Sequence, residues 1–170
     1  MRSVPTLSRR LAVVASACVL LTTTLISAVV PLASAGGSIQ AQLAQVRAAT
    51  ATFHSIPAAE ARGYIKFLPC FDDPALGGMG QHWLLPTALA QPLNPTTPTA
   101  LVYEPRDGSY QLVAVEYVVP GPADMTPPRL LGRDFTYLAA LGVWKLHAWI
   151  WRPNPTGMFA DYNPNSAMCP

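Results

Sequence analysis

The sequence predicts an α+β fold: an N-terminal helix or helices packed on an antiparallel sheet with long Pro-rich loops, closed by one disulfide. Two observations separate the halves. Residues 38–63 carry helical apolar spacing and helix start and stop signals. From Pro69 onward Pro and Gly punctuate the chain, and its apolar runs are short and rich in Val, Trp and Tyr, as strands are. A third observation supplies the crosslink: Cys70 and Cys169 are the two cysteines left once an N-terminal export signal is set aside.

Residues 1–35 read as that signal. Arg2, Arg9 and Arg10 make a basic start, Leu11 to Leu32 an apolar core, and Ala33-Ser34-Ala35 a small-residue cleavage pattern that predicts a cut after Ala35. A retained membrane anchor is the alternative, because the apolar stretch is long for a signal. Ser8-Arg9-Arg10 also resembles a twin-arginine signal, although Ala12 stands where that pattern prefers Phe. Cys18 leaves with the signal, and the rest is expected to be a single exported domain over residues 36–170, secreted or extracytoplasmic. Three of the eleven basic residues lie in the signal and none of the nine acidic ones do. Eight basic against nine acidic residues remain, a formal charge of −1 rather than +2. The remaining Lys and Arg form no run, which argues against nucleic acid and against an anionic membrane surface as partners. Later apolar stretches are too short to span a bilayer.

In chain order, Ser38 to Phe53 places Ile39, Leu43, Val46 and Phe53 near helical spacing, with Ser38 as the cap. A second short helix is predicted from Pro57 to Gly63, Pro serving as a first-turn residue and Gly as the terminator. Tyr64 to Leu68 reads as extended. Gly77-Gly78-Met79-Gly80 reads as a turn, dense enough in glycine to let the backbone approach another element or a ligand. Candidate strands are Gln81–Leu85, Ala100–Glu104, Tyr110–Val119 and Val143–Trp151, with an Asp107-Gly108 hairpin turn and a Pro-rich connection over 120–128. The chain after Trp151 reads as an ordered tail returning to a Cys70–Cys169 bridge. Closing a loop of about 100 residues is worth roughly 2–5 kcal/mol, and no CxxC pair favours metal ligation by sulfur instead.

Chemistry concentrates on ionisable residues inside apolar strands. Tyr110–Val119 is apolar on both faces apart from its start and Glu116, so it predicts a buried central strand whose carboxylate must be protonated, paired, hydrogen-bonded or metal-bound. His147 poses the same question and shares a face with Lys145, Trp149 and Trp151 if its segment is extended. His82 follows the glycine-dense approach. Two histidines and a glutamate are the ligand types that suit a divalent transition metal, as in cupin-like barrels, although the cupin His-x-His spacing is absent. Glu104 is a fourth candidate. A two-residue turn pairs it with Gln111 and puts it on the face opposite Glu116, unless a bulge or an odd loop intervenes. His54, at a helix end, predicts a capping or surface role. No Gly-x-Ser-x-Gly elbow supports a serine hydrolase, and the glycines lack the Lys-Ser/Thr of a phosphate loop.

Gly78-Met79-Gly80-x-His82, Leu101-Val102-Tyr103-Glu104-Pro105, Val115-Glu116-Tyr117, Leu146-His147-x-Trp149 and Asn154-Pro155-x-Gly157 ahead of Cys169 together resemble a family of uncharacterised bacterial secreted proteins, over about Arg47 to Cys169. The resemblance implies export and a single domain and carries no mechanism. The leading functional expectation is therefore an exported domain that binds a metal ion or small ligand through His82, Glu116 and His147, with Glu104 lower in rank. One alternative is a structural or interaction module whose buried His and Glu form a core polar network. Another is an extracellular enzyme with Glu116 and His147 as acid and base, which needs both to open into one cleft.

Overall fold

The Ser38 side-chain oxygen accepts a hydrogen bond from the Ala41 amide at 3.2 Å, and the first helix starts there. The computed structural model describes residues 38–170, so the export signal and Cys18 lie outside the described residues. Helix α1 runs over Ile39–Thr50 and tightens into a 3-10 turn, Ala51–His54. Helix α2, Ile56–Arg62, has Pro57 in its first turn and stops at Gly63, whose φ of +104° closes the helix in the left-handed region.

Eight strands follow: β1 Ile65–Asp73, β2 Gly77–Leu84, β3 Ala100–Arg106, β4 Ser109–Pro120, β5 Arg129–Leu130, β6 Arg133–Asp134, β7 Thr136–Leu138 and β8 Val143–Ala148. Six form one antiparallel sheet in the order β1-β2-β3-β4-β8-β7, and β5 pairs with β6 alone. The fold is therefore α+β, with β4 buried between β3 and β8. Asp107 and Gly108, both at positive φ, make the two-residue β3–β4 turn.

The sheet has two buried sides. Trp83, Leu101, Tyr103, Val115, Tyr117, Trp144 and Leu146 pack with Leu43, Val46 and Ala59 of the helices. Tyr103 Oη donates to the Phe53 carbonyl at 2.6 Å, and Tyr64 Oη to that of Pro98 at 2.8 Å, so the aromatic rings bury their apolar bodies without stranding a hydroxyl. The opposite side carries His82, Ala100, Val102, Glu104, Glu116 and His147 and is covered in part by residues 149–170.

Register shifts in β1, β2 and β4 shape that second side. Between Phe67↔His82 and Phe71↔Gly80 strand β1 inserts two extra residues, with Leu68 at φ +60°; Gln81 Nε2 caps the distortion by donating to the Phe67 and Leu68 carbonyls at 3.1 and 2.8 Å. In β4, Val102↔Ala114 is followed by Tyr103↔Leu112, so Val113 is the extra residue.

Two sequence expectations are corrected. Gly77–Gly80 is strand, not turn. A Cβ at Gly77 would lie 2.3 Å from the Asn163 carbonyl oxygen and one at Gly78 2.2 Å from that of Ala167, so the glycines exist to let the C-terminal tail lie against the strand. The last long strand ends at Ala148 rather than Trp151. The chain turns there, and Trp151 crosses to the helix side, donating to Thr50 Oγ1 at 3.2 Å and meeting the exposed His54 ring edge-on at 4.5 Å.

Candidate functional site

The two extra residues in β1 and the curl of the sheet bring its two edges over one concave face. Phe67, Leu68 and Phe71 from one edge and Leu138, Leu141 and Val143 from the other wall a cleft of about 420 Å³. Ala100 and Val118 lie along its floor, and Asp161 and Tyr162 of the tail close one side. Mostly apolar walls around a few converging polar groups are the usual make-up of a small-molecule site.

Those polar groups include two of the residues singled out in the sequence. His82 on β2 and Glu116 on β4 are not on hydrogen-bonded strands; both reach across β3 and meet there, Nε2 to Oε2 at 3.5 Å. Ala100, directly opposite Glu116 on the intervening strand, is small enough to leave the space. Lys145, two residues before His147 on β8, lines the same cleft and forms an ion pair with Asp161. Phe71 packs edge-on against the His82 ring at 5.9 Å.

His147 is placed differently. It pairs directly with Glu116 across β4 and β8, and its ring lies 6.3 Å from that of His82 and 4.8 Å from that of Trp149. Yet it is 1% exposed and lies outside the cleft lining. Nδ1 of His82 has no hydrogen-bond partner among the described residues, and the ring nitrogens of His147 have no well-formed one, with only the Ala160 backbone near enough to interact. Burial lowers the His82 pKa, with Glu116 opposing and Lys145 reinforcing the shift. His147 is held well below the usual histidine range by burial, with His82 and Lys145 adding to it. Both imidazoles are thus neutral near pH 7.

Glu104 has other work. The Val113 bulge does turn it to the face of Glu116, but it stands four residues along β3 from Ala100, the partner of Glu116, about 13 Å away at ~3.3 Å per residue. Its carboxylate is filled by Arg152 at 3.1 Å, Ser166 Oγ at 3.0 Å and the Ala167 amide at 3.1 Å. It clamps the tail to the sheet. Asn163 makes a second clamp, its amide donating to the Gly78 carbonyl at 3.0 Å. A third is the Cys70–Cys169 disulfide, beside which the Cys169 amide donates to Asp72 Oδ2 at 2.7 Å.

The four residues His82, Glu116, His147 and Glu104 therefore do not assemble as one metal-ligand set. Among the described residues no group of three or more His, Cys, Asp or Glu is arranged to hold a metal ion. The face that His147 was expected to share with Trp149 and Trp151 is also split, Trp149 staying beside His147 and Trp151 leaving. Sequence reasoning did not find Phe67, Phe71, Leu141, Asp161 or Tyr162; no local pattern marks them, because the curl of the sheet and the path of the tail assemble them. Among the described residues no helix is long and apolar enough to cross a membrane, and the disulfide fits an extracytoplasmic setting. No protein-family model, curated protein or solved structure matches this chain.

Proposed function

We propose that this is an exported domain that binds a small, largely apolar molecule in the cleft between its sheet edges, with His82 and Glu116 fixing the polar end. The observation that carries the reading is the convergence of Phe67, Phe71, Leu138 and Leu141 over a buried His82–Glu116 contact in a cleft of about 420 Å³. Of the two ligand classes expected in the sequence, metal and small molecule, the apolar walls favour the second.

An acid–base enzyme built on Glu116 and His147 is less favoured, since only Glu116 reaches the cleft. A purely structural role for the polar group is also less favoured, because its imidazole nitrogens gain so little hydrogen bonding from the chain.

Titration with an environment-sensitive apolar dye tests the reading. The protein is expected to bind one equivalent, and Val118→Phe, which fills the floor of the cleft, to weaken binding at least tenfold while the melting temperature stays within a few degrees. Unchanged binding in the folded variant would place the dye elsewhere and refute the proposal.

A further inference from the structure

We infer that the ligand is an organic cation, an apolar body lying against Phe67, Phe71 and Leu141 with a protonated amine on the Glu116 carboxylate. This names the ligand class for the cleft proposed above and rests on that reading.

The charge inventory of the cleft points this way. Its ionisable lining residues are His82, Glu116, Lys145, Asp161 and Tyr162. Lys145 and Asp161 pair with each other and cancel. Burial disfavours the protonated form of His82, Glu116 opposes that and Lys145 reinforces it; the net shift is downward, so the imidazole is a poor counter-ion for Glu116 at neutral pH. Glu116 is left over. Its side chain is 11% exposed, and its one polar contact among the described residues is the imidazole nitrogen at 3.5 Å, longer than a good N–H···O hydrogen bond. A carboxylate desolvated to this degree calls for a cation.

The surroundings suit a cation with an apolar body. Phe67 and Phe71 put two aromatic rings on the same wall, apolar surface against which the body of the guest can lie. Lys66 lies on β1 beside Phe67, but its ammonium group is engaged outside the cleft with Tyr110 Oη at 3.1 Å. An anionic guest would meet a floor of net charge −1 whose one lysine is already committed. A neutral guest would hydrogen-bond to Glu116 without relieving its charge.

The test uses three probes with one alkyl chain and different heads: octylamine, octanol and octanoate, titrated calorimetrically into the disulfide-bonded protein and into its Glu116→Gln variant. Expected is octylamine binding about tenfold or more tighter than octanol, with octanoate weakest, as a charge-assisted hydrogen bond in a desolvated site implies. Glu116→Gln should remove the preference for the amine and leave octanol binding in place, which also shows that the variant is folded. Equal affinity for the three heads, or an amine preference that survives Glu116→Gln, would overturn the cation assignment while leaving the cleft as a ligand site. Failure of all three probes to bind would instead overturn the ligand-site reading itself.

Discussion

His82 and Glu116 meet at 3.5 Å although a whole strand, β3, separates the strands that carry them. At about 4.8 Å per strand, the contact is made only because both side chains lean inward over Ala100 on a curled sheet. The same curl closes the cleft, so the polar contact and the apolar walls have one structural cause. A ligand seated there touches β1, β4, β8 and the tail together, which is why binding should raise the stability of the entire sheet.

The two buried imidazoles make stability depend on pH, and the sign follows from their lowered pKa values. In the unfolded chain each histidine takes a proton near pH 6.5; in the folded protein it resists until a lower pH. Acid therefore favours unfolding below about pH 6.5, with up to about 1.4 kcal/mol lost per pH unit for each histidine until its folded pKa is reached. Melting temperatures measured from pH 7.5 to 5 should fall on the acid side, and His147→Gln should flatten the slope. An unchanged slope would mean that His147 takes up its proton alike in the folded and unfolded chain.

Glu104 shares a sheet face with Glu116, and their roles should separate cleanly. Glu104→Gln weakens the clamp on Arg152, Ser166 and Ala167 and should cost about 2 kcal/mol, allowing for the partial exposure of Arg152. Octylamine affinity should stay within about twofold of the parent, because Glu104 does not line the cleft. Thermal denaturation and the calorimetric titration together check both halves, and a large loss of affinity with little loss of stability would assign Glu104 to the site.

Much of the fold was legible because its signals are local. The Ser38 cap, Pro57, Gly63 and the Asp107-Gly108 turn each act within a few residues, and the two-faced apolarity of Tyr110–Val119 marks a buried central strand wherever it lies. The site was legible in half. A lone Glu116 inside such a strand announces a need for a partner, and His82 proved to be near it, but the identity of the partner is a long-range fact. The Val113 bulge carries no marker residue, so strand parity could name a bulge as the exception that brings Glu104 to the face of Glu116 but could not say that one occurs. Glycine likewise reports only freedom: at Gly77 and Gly78 that freedom serves a tail more than eighty residues downstream, and no short window distinguishes this from a turn.

That use of glycine is itself testable. Gly78→Ala puts a methyl group 2.2 Å from the Ala167 carbonyl oxygen, a backbone atom that cannot swing aside, so the tail must lift from β2. The expected cost is about 1–3 kcal/mol, typical of overpacking, read as a lowered melting temperature. Gly108→Ala is disfavoured for another reason, its φ of +75°, since its Cβ meets nothing within 4 Å; Gly78 has no positive φ, so its cost comes from the tail. If Gly78→Ala melts with the parent, the tail does not bear on Gly78.

The disulfide joins the tail to the bulged part of β1, with Cys70 between the cleft residues Leu68 and Phe71. Two consequences of breaking it can be told apart. Cys70 and Cys169 are 99 residues apart, so their crosslink limits the unfolded chain strongly; Cys70→Ser with Cys169→Ser should cost about 2–5 kcal/mol. The folded cleft should suffer much less. Asp161 and Tyr162 sit upstream of the clamps made by Asn163 on Gly78 and by Glu104 on Ser166, and these hold the tail without the bridge. Octylamine affinity in the double variant should therefore remain within about threefold of the parent at a temperature where both are folded, while the melting temperature drops by several degrees. A collapse of affinity alongside an intact fold would show that the bridge, rather than the two hydrogen-bonded clamps, sets the position of the cleft wall.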